Sequence, residues 1–95
     1  MVTLYKKKNF KICGVDSDES SSEYIIINTN KPFQYGHTHV NDYHLAKHIV
    51  DMAILYHVPH KDKKFVIESL IRLSTDRFYI NKLKSYMSRN KKVSR

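Results

Sequence analysis

All six histidines lie between residues 36 and 60, and two pairs of them have spacings that suit chemistry. His37 and His39 are separated by one residue, so on an extended segment both side chains point the same way. His44 and His48 are four residues apart, so on a helix they share one face. Imidazole nitrogens suit zinc and nickel. The spacing therefore allows a zinc or nickel site built from His37, His39, His44 and His48.

His37 and His39 could also serve as a general acid and base, since imidazole titrates near neutral pH. Asp42 or Asp51 could then orient them. The remaining signals argue against catalysis, because no Gly-x-Ser-x-Gly motif occurs and two glycines cannot build a phosphate-binding loop. The single cysteine, Cys13, lies in a predicted strand, where a buried thiol is inert. We therefore predict no enzymatic activity and no required cofactor.

The helical histidines also have a purely structural interpretation. Apolar residues recur at helical spacing after residue 41, and they form a stripe on the side opposite His44, His48 and Asp51. The stripe consists of Leu45, Ile49, Met52 and Tyr56. On this interpretation the histidine face is a solvated helix surface, and metal binding is the lesser alternative.

The elements around this stretch predict a small α+β fold. Short segments rich in β-branched residues predict strands at 2–6, 10–15 and 24–27, and the segment 33–40 is extended or forms a further short strand. Helical periodicity predicts three helices, at 41–57, 61–73 and 76–90. Strands followed by helices indicate a small antiparallel β-sheet of two to three strands covered by three α-helices.

Ninety-five residues suffice for one domain, 1–95. Within it we predict a β-rich part at 1–40 with a mobile acidic, serine-rich loop at 16–23. The helices occupy 41–90, and a basic tail follows at 91–95.

The positive charge is concentrated at the C-terminal end of the sequence. Residues 1–60 carry six Lys/Arg and six Asp/Glu, whereas residues 61–95 carry eleven Lys/Arg against three Asp/Glu, which accounts for the whole net charge of +8. Such asymmetry indicates a polyanionic partner, above all nucleic acid. Two helices joined by Ser74-Thr75-Asp76, the second of them basic, are typical of a helix-turn-helix. The candidate nucleic-acid contacts are Lys61, Lys63, Lys64, Arg77, Asn81, Lys82, Lys84, Arg89, Lys91 and Lys92.

A protein-interaction module needs no site chemistry, and for that reason it is our first functional prediction. Open sheet edges and exposed tyrosines such as Tyr5, Tyr35 and Tyr43 suit a protein partner or a homo-oligomer. Nucleic-acid binding by the basic helices is the alternative. One free cysteine, no secretion signal and no apolar run of about 18 residues predict a cytoplasmic protein without membrane attachment.

Two segments carry a family resemblance. The first is Lys31-Pro32-Phe33 followed by Gly36-His37-Thr38-His39, and the second is Glu68-Ser69-Leu70-Ile71-Arg72-Leu73-Ser74-Thr75-Asp76 with Tyr79-Ile80. Over roughly residues 24–87 the chain resembles short uncharacterised proteins of low-GC Gram-positive bacteria and their prophages. The resemblance implies a small accessory or phage-encoded role and assigns no functional residues.

Overall fold

The computed structural model describes residues 2–14, 23–59 and 64–93, and of residues 89–93 the backbone alone. Four strands come first: β1 (Val2–Lys7), β2 (Phe10–Gly14), β3 (Tyr24–Asn28) and β4 (His37–Val40). Three helices follow: α1 (Tyr43–Leu55), α2 (Lys64–Leu73) and α3 (Arg77–Val93). The α+β fold is confirmed, and the sheet has one strand more than the two to three predicted.

The strands form one antiparallel sheet in which chain order and spatial order coincide, β1-β2-β3-β4. Alternate side chains of a strand point to opposite faces of the sheet. Ile12 and Ile26 face each other across β2 and β3 and belong to the main core, together with buried residues of all three helices. Cys13 and Ile25 occupy the next row and bury on the other face with Ile27. The helices therefore cover one face of the sheet.

Helix α1 starts at a side-chain cap. The carboxylate of Asp42 accepts a hydrogen bond from the backbone N–H of Leu45 at 2.9 Å. The helix ends at Leu55, because Tyr56 adopts a left-handed conformation with φ of 54° and the N–H of His57 bonds back to the carbonyl of Met52 at 3.0 Å. This closing pattern normally uses glycine at the left-handed position.

A buried polar contact joins α2 to the edge strand β4. The hydroxyls of Thr38 and Ser69 lie 3.1 Å apart, and both residues are buried. This hydrogen bond satisfies two hydroxyls inside the core and helps to set the position of α2 on the sheet.

The predicted loop at 16–23 lies outside the described residues except for Glu23, and so does the start of the helix predicted from residue 61. None of the helices in the described part of the chain combines the length and apolar character needed to cross a membrane.

Candidate nucleic-acid interface

Helices α2 and α3 carry those basic residues of the C-terminal region whose side chains the structure describes. Helix α2 buries Val66, Ile67 and Leu70 in the core, and Leu73 closes its last turn. The three-residue segment 74–76 then reverses the chain into α3. The chain therefore has two helices joined by a short turn, and the helix-turn-helix motif itself stays a prediction.

Tyr79 attaches the start of α3 to the rest of the molecule. Its side chain is buried, and its hydroxyl donates a hydrogen bond to the carbonyl of His57 at 2.6 Å. The ring packs against that of Tyr56 with centroids 5.3 Å apart. Burial raises the pKa of the Tyr79 phenol well above its ordinary value, so the hydroxyl stays a donor throughout the physiological pH range.

The outer face of α3 is exposed and free of acidic residues. Tyr79 and Leu83 point into the core, and the side chains on the opposite side of the helix point to solvent. The members of this outer face are Arg77, Phe78, Asn81, Lys82, Lys84, Ser85 and Ser88. Over its full length α3 carries six Lys/Arg and no Asp/Glu. A solvated helix in a protein without a polyanionic partner commonly mixes both signs of charge, which this face does not.

Two side chains hold the end of α2, one from the last residue of β3 and one from the loop that follows β3. The amide of the buried Asn28 donates to the carbonyl of Leu73 at 2.7 Å. The ammonium of Lys31 donates to the carbonyls of Arg72 at 2.8 Å and of Ser74 at 3.2 Å. The last carbonyls of a helix lack partners inside the helix, so these contacts stabilise the end of α2 and fix the turn that follows.

Asn28 is itself held from both sides. Its carbonyl oxygen accepts a hydrogen bond from the side chain of Asn9 at 2.8 Å and another from the backbone N–H of Asn30 at 2.9 Å. One amide therefore connects the β1–β2 turn, the loop after β3 and the α2–α3 turn.

Lys31 fits its position because Gly36 leaves room beside it. A Cβ added at Gly36 would come within 2.6 Å of the Lys31 Cβ. Partial burial and the charge of Arg72 lower the pKa of Lys31. A lysine next to a proline shows nothing about a helix end more than forty positions away, so no local signal could have revealed these contacts.

The candidate nucleic-acid contacts predicted from the sequence fall into three groups. Arg77, Asn81, Lys82 and Lys84 lie together on the outer face of α3. Lys64 is exposed at the start of α2, where its ammonium lies 4.0 Å from the carboxylate of Glu68. The others lie where side chains are not described, namely Lys61, Lys63, Arg89, Lys91 and Lys92.

The strand histidines lie side by side, as their spacing predicted, but each has its own partner. The ring of His37 stacks on Phe33 with centroids 4.1 Å apart, and its Nδ1 bonds to the Phe33 carbonyl. His39 bonds to the carboxylate of Glu23. The two imidazoles meet edge to face at 5.2 Å.

The four-histidine metal site does not form. His44 and His48 are exposed on α1, and in the described part of the chain no three His, Cys, Asp or Glu side chains are grouped so as to hold a metal ion. The reason is the orientation of α1, whose core face rests on the sheet while its histidines point to solvent.

The carboxylates considered for histidine catalysis have other contacts. Asp42 caps α1, and a carboxylate oxygen of Asp51 lies 3.6 Å from the ammonium of Lys7. Among the described residues, neither carboxylate forms a hydrogen bond or an ion pair with His37 or His39.

No protein-family model, no curated protein and no solved structure matches this chain. The resemblance to small proteins of low-GC bacteria and prophages therefore stays a prediction.

Proposed function

We propose that this protein binds duplex DNA and inserts α3 into the major groove. The observation that carries the proposal is the outer face of α3, an acid-free and fully solvent-facing surface on a helix rich in Lys and Arg. An α-helix fits the major groove of B-DNA, and the phosphates on either side of the groove attract positive charge.

The side chains on this face have the chemistry that groove reading uses. Arg77, Lys82 and Lys84 suit phosphate oxygens, and an arginine can also bond the acceptor edge of guanine. Asn81 lies between them and matches the donor–acceptor edge of adenine. Phe78 is 80% exposed, so its ring is open to an apolar contact from a ligand. A thymine methyl group would supply one.

The fixed turn before α3 supports the same function. Asn28 and Lys31 tie the end of α2 to the sheet, and Tyr79 ties the start of α3 to the end of α1. A recognition helix held this way loses little conformational freedom on binding, so more of the contact energy appears as affinity. We place this activity in the cytoplasm, where the free thiol of Cys13 stays reduced.

Fluorescence anisotropy with a labelled mixed-sequence duplex tests the proposal over a series of salt concentrations. We expect log affinity to fall linearly with log salt, and Lys82→Gln to reduce the slope by about 1. The matched control is Lys6→Gln, because Lys6 is an exposed lysine on β1, at the opposite edge of the sheet from β4. Salt-independent binding, or equal effects of the two substitutions, would contradict the assignment of α3.

Asn81→Ala separates base reading from general attraction to phosphate. After selection of preferred duplexes from a random pool, we expect this variant to lose sequence preference and to keep most of its non-specific affinity. If preference survives unchanged, Asn81 does not contact bases.

A protein partner is the second candidate, and an open groove between α2 and α3 favours it. The groove has a volume of about 630 Å³. Ile71 and Met87 supply apolar lining, Arg72 and Lys84 supply positive charge, and Glu68 supplies one negative charge. The apolar lining and the remaining positive charge suit an acidic segment with apolar side chains. A pull-down with and without nuclease, repeated with Met87→Lys, tests this candidate. Partners that survive nuclease and disappear with Met87→Lys would favour protein binding over DNA binding.

A further inference from the structure

Helix α1 presents two histidines on one exposed face. His44 and His48 both lie within α1, and both are exposed. Residues four apart on a helix are neighbours, with Cβ atoms about 5–6 Å apart. The two imidazoles can therefore reach the same small ligand from one side of the helix.

Neither of these imidazoles is engaged by another part of the described chain. His44 meets the ring of the adjacent Tyr43 edge to face, with centroids 6.1 Å apart. Among the described residues, neither His44 nor His48 forms a hydrogen bond or an ion pair. The strand histidines differ, because the Nδ1 atoms of His37 and His39 are already bonded to a backbone carbonyl and to a carboxylate. The helical pair therefore keeps its ring nitrogens open to a ligand.

One carboxylate and one ammonium lie close to the histidine pair in the helix. Asp51 follows His48 by about one turn on the same face, and its side chain is half-exposed, with one oxygen 3.6 Å from the ammonium of Lys7. The ammonium of Lys47 is held over the ring of Tyr5, 5.0 Å from its centroid. No three metal-binding side chains are grouped closely enough in the described chain to share an ion. Asp51 therefore contributes negative charge beside the pair and does not act as a third ligand.

We propose that His44 and His48 together bind one divalent transition-metal ion of the late first row. These ions prefer imidazole nitrogen, and their affinity for such sites rises from manganese through cobalt and nickel to copper. The two imidazoles occupy neighbouring positions on the ion, and water molecules complete its coordination. Because the protein supplies two ligands, the ion is exchangeable. The site needs neither β4 nor DNA binding by α3.

Isothermal titration calorimetry with nickel chloride tests the proposal on the untagged full-length chain in a non-coordinating buffer at neutral pH. We expect one ion per chain. His44→Gln and His48→Gln should each weaken binding at least about tenfold, because a single imidazole loses the gain from simultaneous attachment. The matched control is His57→Gln, which removes an exposed histidine beyond the end of α1 and should leave the affinity unchanged. Magnesium chloride should give no binding heat, since this ion prefers oxygen ligands.

Thermal unfolding shows whether the folded helix forms the site. The distance between the two imidazoles is fixed only while α1 is helical, so nickel should bind the native protein more tightly and raise its melting temperature. The increase should disappear in His44→Gln and His48→Gln and persist in His57→Gln. Wild-type nickel affinity in both histidine variants, or no increase in the melting temperature of the wild type, would overturn the proposal. So would loss of binding in a double variant of His37 and His39, because the ion would then lie on β4.

Discussion

Replacing Asn28 by alanine removes a side chain that connects the β1–β2 turn and the loop after β3 to the end of α2. The substitution deletes the hydrogen bond to the Leu73 carbonyl at 2.7 Å and those from Asn9 at 2.8 Å and from the Asn30 N–H at 2.9 Å. Three hydrogen bonds at about 1 kcal/mol each sum to about 3 kcal/mol. Because Asn28 is 1% exposed, water cannot easily replace the lost partners, so this sum is closer to a lower bound.

Urea unfolding monitored by circular dichroism measures this loss. A domain of this size has a free energy of unfolding of about 5–10 kcal/mol, so Asn28→Ala should remove a large part of it. At about 4–8 °C per kcal/mol, the melting temperature should fall by more than about 12 °C. Asn30→Ala is the matched control, because Asn30 contributes its backbone N–H to the network and alanine retains that group.

Asn28→Asp refines the same experiment. Aspartate keeps the acceptor oxygen but offers a carboxylate to the Leu73 carbonyl in place of an N–H donor. We expect it to destabilise the protein as much as alanine does or more, since it buries an unpaired charge. If Asn28→Ala lowers the free energy of unfolding by less than about 0.5 kcal/mol, these hydrogen bonds do not hold the α2–α3 turn, and the sheet does not fix the position of α3.

Three further substitutions test separate parts of the structure. Tyr79→Phe leaves the His57 carbonyl without its donor and should cost about 1–2 kcal/mol in urea unfolding at neutral pH. Burial raises the pKa of the Tyr79 phenol in the native protein, whereas in the unfolded chain this phenol has its ordinary pKa near 10. The native protein should therefore lose stability as the pH rises above 10, and Tyr79→Phe should show a smaller loss over that range. Gly36→Ala should destabilise by about 1–3 kcal/mol, because the new methyl group would meet the Lys31 Cβ at 2.6 Å; a neutral effect would mean that the loop shifts freely. Ser74→Ala removes a buried hydroxyl that has no hydrogen-bond partner among the described residues, so it should raise the melting temperature by about 4–8 °C, and a decrease would show that the hydroxyl is bonded.

Local sequence patterns predicted most of the elements. The β-branched run at 25–27 and the break at 74–76 both appear where they were expected. The segment 37–40 was less certain, because Val40 is its only strongly apolar residue. It becomes β4 through pairing with β3 and through the hydrogen bond of Thr38 to Ser69, a partner 31 positions away.

The predicted apolar stripe of α1 was wrong at its end. Ile49 and Met52 are buried as expected, but Tyr56 is 60% exposed. Helical spacing applies only while the backbone stays helical, and Tyr56 leaves that conformation. The predicted third helix is present as α3, and Arg77, Lys82 and Lys84 lie on its exposed side. Its attachment through Asn28 and Lys31 depends on contacts between residues 45 and 41 positions apart, which no local pattern contains.

The coincidence of chain order and spatial order in the sheet has a consequence for how the molecule folds. Every strand pairs with its neighbour along the chain, so each hairpin closes only a short loop, and proteins rich in such local contacts fold fast. Helix α3 packs mainly against α2 and has little direct contact with the sheet. What holds α3 therefore depends on α2 being in place, together with the hydrogen bond from Tyr79 to the His57 carbonyl. A ligand bound to the outer face of α3 would add its binding energy to this pair of helices, a part of the fold that lies outside the sheet.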